Sequence, residues 1–223
     1  ITINPIEREW TNKDIVVTTT ATDTGGSGIK YLKEKVLKST GSNFEVIQDF
    51  KEVTNPKVTT FTKDGIYKIE AITSDNANNI TSKNSKEYKL DKTKPSIKSI
   101  EFDEENVKPS GFKIKFNEVT DNLSGVKKMT YTVYPKKDTS QKKTYEFNTV
   151  GGNIEKQVNT SLFNNATGDY IVSFTIMDNA NNVYTSSDQV VNVPAPIPKN
   201  EKWSIEDVNY IDGNNYWVKP NHV

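Results

Sequence analysis

At 223 residues the chain is too long for one small sandwich and comfortable for two domains of about 100 residues each. Its 29 basic and 29 acidic residues are scattered and cancel, so no field is built that would gather nucleic acid or anionic lipid. Cysteine is absent, which removes disulfides, thiolate metal sites and cysteine nucleophiles together, without fixing the compartment.

Hydrophobic residues make up only 33%, and much of the rest is Thr, Tyr and other strand-favouring types, so the expected class is all-β. No apolar run approaches 18 residues, and "ITINPIEREW" is no export signal, so the chain is expected to be a mature or excised piece that does not insert into a membrane. In chain order the first strand candidates are 14–23, 28–37, 44–53, 57–62, 67–74 and 85–90. "LKEKVLKS" at 32–39 has helical composition. It is assigned to a strand, because "STGSN" at 39–43 supplies a turn and another β-rich run follows.

"LDKTKPSI" at 90–97 is the expected junction, short enough to limit swing. Beyond it, strands are expected at 96–103, 112–121, 126–135, 142–150, 153–159, 170–178 and 188–193. In "FKIKF", Phe112, Ile114 and Phe116 are placed in the core, with Lys113 and Lys115 in water. "VPAPIPKNEK" at 193–202 packs three prolines into five residues, an extended spacer. "NYWVKPNHV" at 215–223 then echoes 105–112 and 9–17, so the chain is expected to stop inside a third copy.

The copies are visible as an internal repeat. Residues 64–90 lie over 167–193, keeping a Tyr, an alternating strand and the turn "DNANN"; residues 20–32 lie over 117–129, keeping Asp and Ser-Gly. The expected organisation is therefore two tandem antiparallel β-sandwiches, 1–92 and 93–193, followed at 194–223 by a Pro-rich linker and the start of a third repeat.

"EWTNKDIVVTTTATDTGGSGIK", "DGIYKIEAITSDNANN" and "LDKTKP" together resemble the bacterial immunoglobulin-like repeats of surface proteins and secreted carbohydrate-active enzymes. The resemblance spans roughly residues 1–193 and implies an Ig-like fold. Two departures stand out. Asn78 and Asn181 occupy the place of a usual Gly, which Asn tolerates in a left-handed backbone. Asn106 stands where the other copies offer Trp10 and Trp217. Tyr67 and Tyr170 fit tyrosine corners, with Ile69 and Val172 as plain core in place of a bridging cysteine.

Four kinds of site are weighed. Asp23 with Asp75 and Asn76, and Asp121 with Asp178 and Asn179, converge at sandwich poles in a way that suits Ca²⁺. The same residues serve equally as Asx turns that need no ion, and this reading is preferred, so no metal or cofactor is assigned. No catalytic residue is expected, since His222 is the only histidine and no nucleophile or phosphate-loop motif occurs. Trp10, Trp203, Trp217 and Tyr216 are candidate sugar platforms, with core packing the preferred role for Trp10. A Lys113 or Lys115 to Asn192 isopeptide bond beside Glu118 is disfavoured, because those lysines face water.

The expected function is a non-enzymatic stalk that holds another domain away from a bacterial cell wall, Gram-positive by expectation. The alternative is an adhesin or accessory module that recognises host glycan or protein through "TGGSG" at 24–28 and "NANN" at 76–79. Expected partners are flanking domains of the same chain. Nucleic acid is excluded, and a monomer is expected.

Overall fold

Strict alternation of buried and wet side chains divides this chain between two cores, because each sheet buries one face only. The structure, a computed structural model, describes residues 1–6, 8–197, 208–212 and 215–218.

The first core lies between two sheets. One has the order β1 (Thr2–Asn4), β3 (Ile15–Thr20), β6 (Lys57–Phe61). The other runs β2 (Arg8–Thr11), β9 (Tyr88–Leu90), β7 (Gly65–Asp75), β4 (Ile29–Ser39), β5 (Phe44–Val53), with β8 (Ile80–Asn84) also paired to β7. Ile15, Val17, Leu32, Ile69, Tyr88 and Leu90 fill the space between them. The segment 32–39 is strand, as expected. A helix there would forfeit both of its ladders, to β5 and to β7.

The second core repeats the plan. The sheet β10 (Ser99–Phe102), β11 (Gly111–Val119), β14 (Gly152–Asn159) faces the sheet β13 (Lys143–Asn148), β12 (Val126–Pro135), β15 (Gly168–Asp178), β16 (Val183–Thr185), and β17 (Gln189–Val193) also pairs with β15. Phe112, Ile114 and Phe116 are at most 1% exposed. Each contributes about 1.5–3 kcal/mol by leaving water. Lys113 and Lys115 stay outside, paired with Glu155 and Asp103.

Both tyrosine corners form: the Tyr67 hydroxyl donates to the Lys63 carbonyl and that of Tyr170 to the Ala166 carbonyl, each at 2.8 Å. Ile69 and Val172 are wholly buried beside them. Strands β1, β2, β8 and β16 were not legible in sequence. β8 is exposed along its whole length, so only backbone pairing to β7 defines it.

β18 (Val208–Asp212) and β19 (Asn215–Val218) form an antiparallel hairpin. The remainder of the expected third repeat, including Trp203 and His222, lies outside the described residues. Tyr216 and Trp217 are described only as backbone of β19.

Candidate functional site at the domain junction

In each sandwich the ladder brings the start of the second long strand against the end of the penultimate one, pairing Ile29 with Asp75 and Val126 with Asp178. That register sets the Asp and Ser-Gly loop beside the DNANN turn. In the first sandwich Asp23 Oδ1 accepts from the Gly25 N–H at 2.8 Å, and its Oδ2 from the Gly28 N–H at 2.7 Å. Asp75 accepts from the backbone and side-chain amides of Asn79, both at 2.8 Å.

The second pole repeats these bonds except at Asp121, where one oxygen takes both backbone donors. Asp121 Oδ2 accepts from the Gly125 N–H at 2.7 Å and the Leu123 N–H at 3.2 Å. Asp178 accepts from the Asn182 backbone and side-chain amides, both at 2.7 Å. The Asx-turn reading therefore describes Asp23 and Asp121, which accept from the N–H two residues on, while Asp75 and Asp178 close their turns on the asparagine four residues on. Asn76 and Asn179, placed among possible ligands by sequence, instead donate their amides to the carbonyls of Ser27 and Ser124 and so tie the two loops together. Asn78 and Asn181 adopt φ of 67° and 69°, the left-handed turn conformation expected of them.

What the sequence did not single out is Asp91. It follows directly on β9 of the first sandwich and reaches into the pole of the second, where its Oδ2 accepts from the Ser124 N–H at 3.0 Å. Its carbonyl accepts from the Asn182 amide at 2.8 Å. Nearby, Asn12 donates to the Asn181 carbonyl at 3.3 Å. On the other side, Asp64 holds the linker, accepting from the Lys92 N–H at 2.7 Å and the Thr93 hydroxyl at 2.6 Å, while Lys92 pairs with Asp14.

One oxygen each from Asp91, Asp121 and Asp178 lies within 4.8 Å of the others. Asp91 and Asp178 are fully buried. Oδ1 of Asp121 is a buried atom with no hydrogen-bond partner. Lys35, Lys68, Lys92, Lys98, Lys113, Lys115, Lys128 and Lys136 form ion pairs with other acids. These three residues have the geometry to hold a cation, and they offer hard oxygen donors only.

Identical pentapeptides thus sit in opposite electrostatic settings. Burial pushes the Asp178 carboxyl above the usual carboxylate range, against the Asn182 hydrogen bonds, with the Asp91 and Asp121 carboxylates adding to the rise. Its counterpart Asp75 is held below that range by the Asn79 side-chain and backbone amides. Asp23 is likewise held low, by the N–H groups of Gly25 and Gly28. The difference is the neighbour: Asp91 and the end of the first sandwich cover the second pole, while Asn76, Ala77, Asn78 and Asn79 of the first pole remain exposed.

The other candidates are not assembled. Asn192 donates to Asp169 at 2.9 Å in the sheet opposite Lys113, whose own partner is Glu155, so the isopeptide set does not meet. Trp10 is half-buried on β2.

A sequence model described as a bacterial Ig-like domain matches residues 77–194, just over half of the chain. No curated protein sequence matches. Among solved structures, the FN1–FN3 domains of chicken CNTN1 are 7% identical, with a TM-score of 0.37, over 83% of this chain and 62% of that one. The fibronectin(III)-like modules of Clostridium thermocellum CbhA are 13% identical, TM-score 0.36, over 86% of this chain and 93% of that one. A tetra-tandem repeat from the extending region of a large adhesion protein is 16% identical, TM-score 0.40, over 86% of this chain and 48% of that one.

Proposed function

This chain belongs to the bacterial Ig-like domain family, and from that premise we propose that it is a non-catalytic spacer which sets the distance and direction of another domain on the bacterial surface. The observation that carries this reading is the junction. Lys92 and Thr93 are tied back to Asp64 of the first sandwich, Asp91 is tied forward to Ser124 and Asn182, and Ser96 already pairs with Thr120. Only Lys94 and Pro95 are left to bend between two folded bodies, and Pro95 is buried.

A junction bonded on both sides transmits direction, whereas flexible linkers let domains reorient freely. Small-angle scattering tests it: one extended conformation with a narrow distance distribution is expected. A broad distribution of interdomain angles would refute the spacer reading.

The adhesive alternative has a smaller surface to work with. The loops of the second pole, 121–125 and 178–182, are engaged by the junction, while 24–28 and 76–79 of the first pole are exposed. Display of the chain on arrays of host glycans and matrix proteins decides between the two. Binding lost on substitution within 24–28 would favour the adhesive role.

A further inference from the structure

We infer that the outer face of the sheet β1–β3–β6 is a weak contact surface for the same face of a second copy of this chain. Alternation defines the face. Ile3, Ile15, Val17, Thr19 and Phe61 are buried, so their neighbours along each strand point to solvent. The ladders set those neighbours in three rows: Thr2 beside Thr20, Asn4 beside Thr18 and Val58, and Val16 beside Thr60. No charged side chain is among them. Val16 and Val58, diagonal neighbours across the β3–β6 ladder, are 50% and 52% exposed.

The other three outer sheet faces are built differently. Each carries a cross-strand ion pair: Lys35 with Glu70, Lys113 with Glu155, and Lys128 with Glu146. The internal repeat makes the contrast residue by residue. Extending the alignment of 20–32 with 117–129 back along the strand sets Val16 on Lys113, Thr18 on Lys115 and Thr20 on Asn117. One strand of one fold thus has two outer surfaces, ionic in the second sandwich and uncharged in the first. Folding does not require the uncharged version, since the ionic one folds on the same plan.

A second copy is the occupant this chemistry fits. Net charge on a self-pairing face is doubled by its copy and repels, and any ion there must be stripped of water; Thr, Val and Asn carry neither cost. Their short side chains also present the even surface on which sheets stack face to face at about 10 Å. Area sets the strength. Three strands about 4.8 Å apart, each about five residues long at about 3.4 Å per residue, span roughly 240 Å². Stable complexes bury about 800 Å² per partner. Dilute chains therefore stay single, and the contact acts where many copies are crowded side by side on one surface.

Sedimentation of the whole chain from micromolar to millimolar concentration tests this on the parent, on Val16→Lys combined with Thr18→Lys, on Val58→Lys and on Ile80→Lys. The paired change transplants what the second sandwich carries at the matching positions, so the fold is retained, and an unchanged melting midpoint checks that. Reversible self-association with a dissociation constant on the order of 1 mM is expected. The paired change and Val58→Lys should each weaken it at least about fivefold, by setting like charges against each other. Ile80, 68% exposed on β8 of the other sheet, is the control: Ile80→Lys should leave association unchanged. High salt should not weaken it either, because no charges take part. A parent that stays monomeric throughout, association that survives the lysines, or equal weakening by Ile80→Lys or by salt would overturn the inference. None of these outcomes bears on the spacer reading, which scattering from dilute chains and the array experiment judge separately.

Discussion

The side-chain amide of Asn182 donates across the junction to the carbonyl of Asp91 at 2.8 Å and, from the same nitrogen, to Asp178 Oδ2 at 2.7 Å. One amide thereby holds its own turn and the neighbouring sandwich. Its counterpart Asn79 makes only the turn bond, to Asp75 Oδ2 at 2.8 Å. Asn182→Ala should therefore destabilise the second sandwich by about 1–3 kcal/mol, since it strands buried acceptors. Asn79→Ala, in an exposed turn, should cost less, about 0.5–1 kcal/mol. Urea unfolding of both variants measures the difference.

The two DNANN turns should respond oppositely to pH. Asp178 has a raised value in the folded chain, so below the ordinary aspartate pKa of about 4 its stabilising effect is fully present, and it is lost as pH rises through the raised value. Asp23 and Asp75 have depressed values, so their contribution is present above about pH 4 and is lost as pH falls through the depressed values. Carbon-13 titration of the carboxyl groups should show Asp178 protonating at higher pH than Asp75. Coincident titration would contradict the burial assigned to Asp178.

Glu34 is fully buried in β4 and joins the two sheets of the first sandwich, accepting from the Thr19 hydroxyl at 2.9 Å and from the Thr59 hydroxyl. Replacing it with Ala opens a cavity and strands two hydroxyls, for an expected loss of about 3–5 kcal/mol. Glu34→Gln keeps the shape and one strong acceptor, and should cost about half as much or less. Chemical denaturation of the pair separates clamp from filler.

Tyr170→Phe removes the donor to the Ala166 carbonyl and leaves ring packing with Phe112 and Phe163 intact. A loss of about 1–2 kcal/mol in the second sandwich is expected. Tyr67→Phe should cost the first sandwich a similar amount, because its hydroxyl makes the same bond four residues back, to Lys63. Thermal melts of each variant report on the corner in its own domain.

Gly111 has φ of 149°, and a Cβ there would lie 2.1 Å from the Val158 carbonyl oxygen. Gly111→Ala must push β11 away from β14 and should destabilise the second sandwich by about 2–4 kcal/mol, against an ordinary surface change of about 0.5 kcal/mol or less. Denaturation midpoints decide it.

What the sequence determined by itself is everything governed by local period and local chemistry. Alternation in "FKIKF" assigned Phe112, Ile114 and Phe116 to the core and the lysines to water, because a pleated strand sends neighbours to opposite faces. The repeated DNANN spelled its own Asp-to-Asn turn bonds and its left-handed Asn78 and Asn181, because those bonds span no more than five residues. Strands without such a period, β8 above all, stayed hidden, since an exposed strand is defined only by the partner beside it.

The role of Asp91 was decided by tertiary structure alone. In sequence it is one polar residue in a charged exit segment, 30 residues from Asp121 and 87 from Asp178. Only the docking of one sandwich end on the next pole buries it against them, and burial depends on what the whole fold places around a residue rather than on the residue's neighbours in the chain. The same cause separates Asp75 from Asp178: the letters are identical, and the covering neighbour shifts their carboxyl groups in opposite directions.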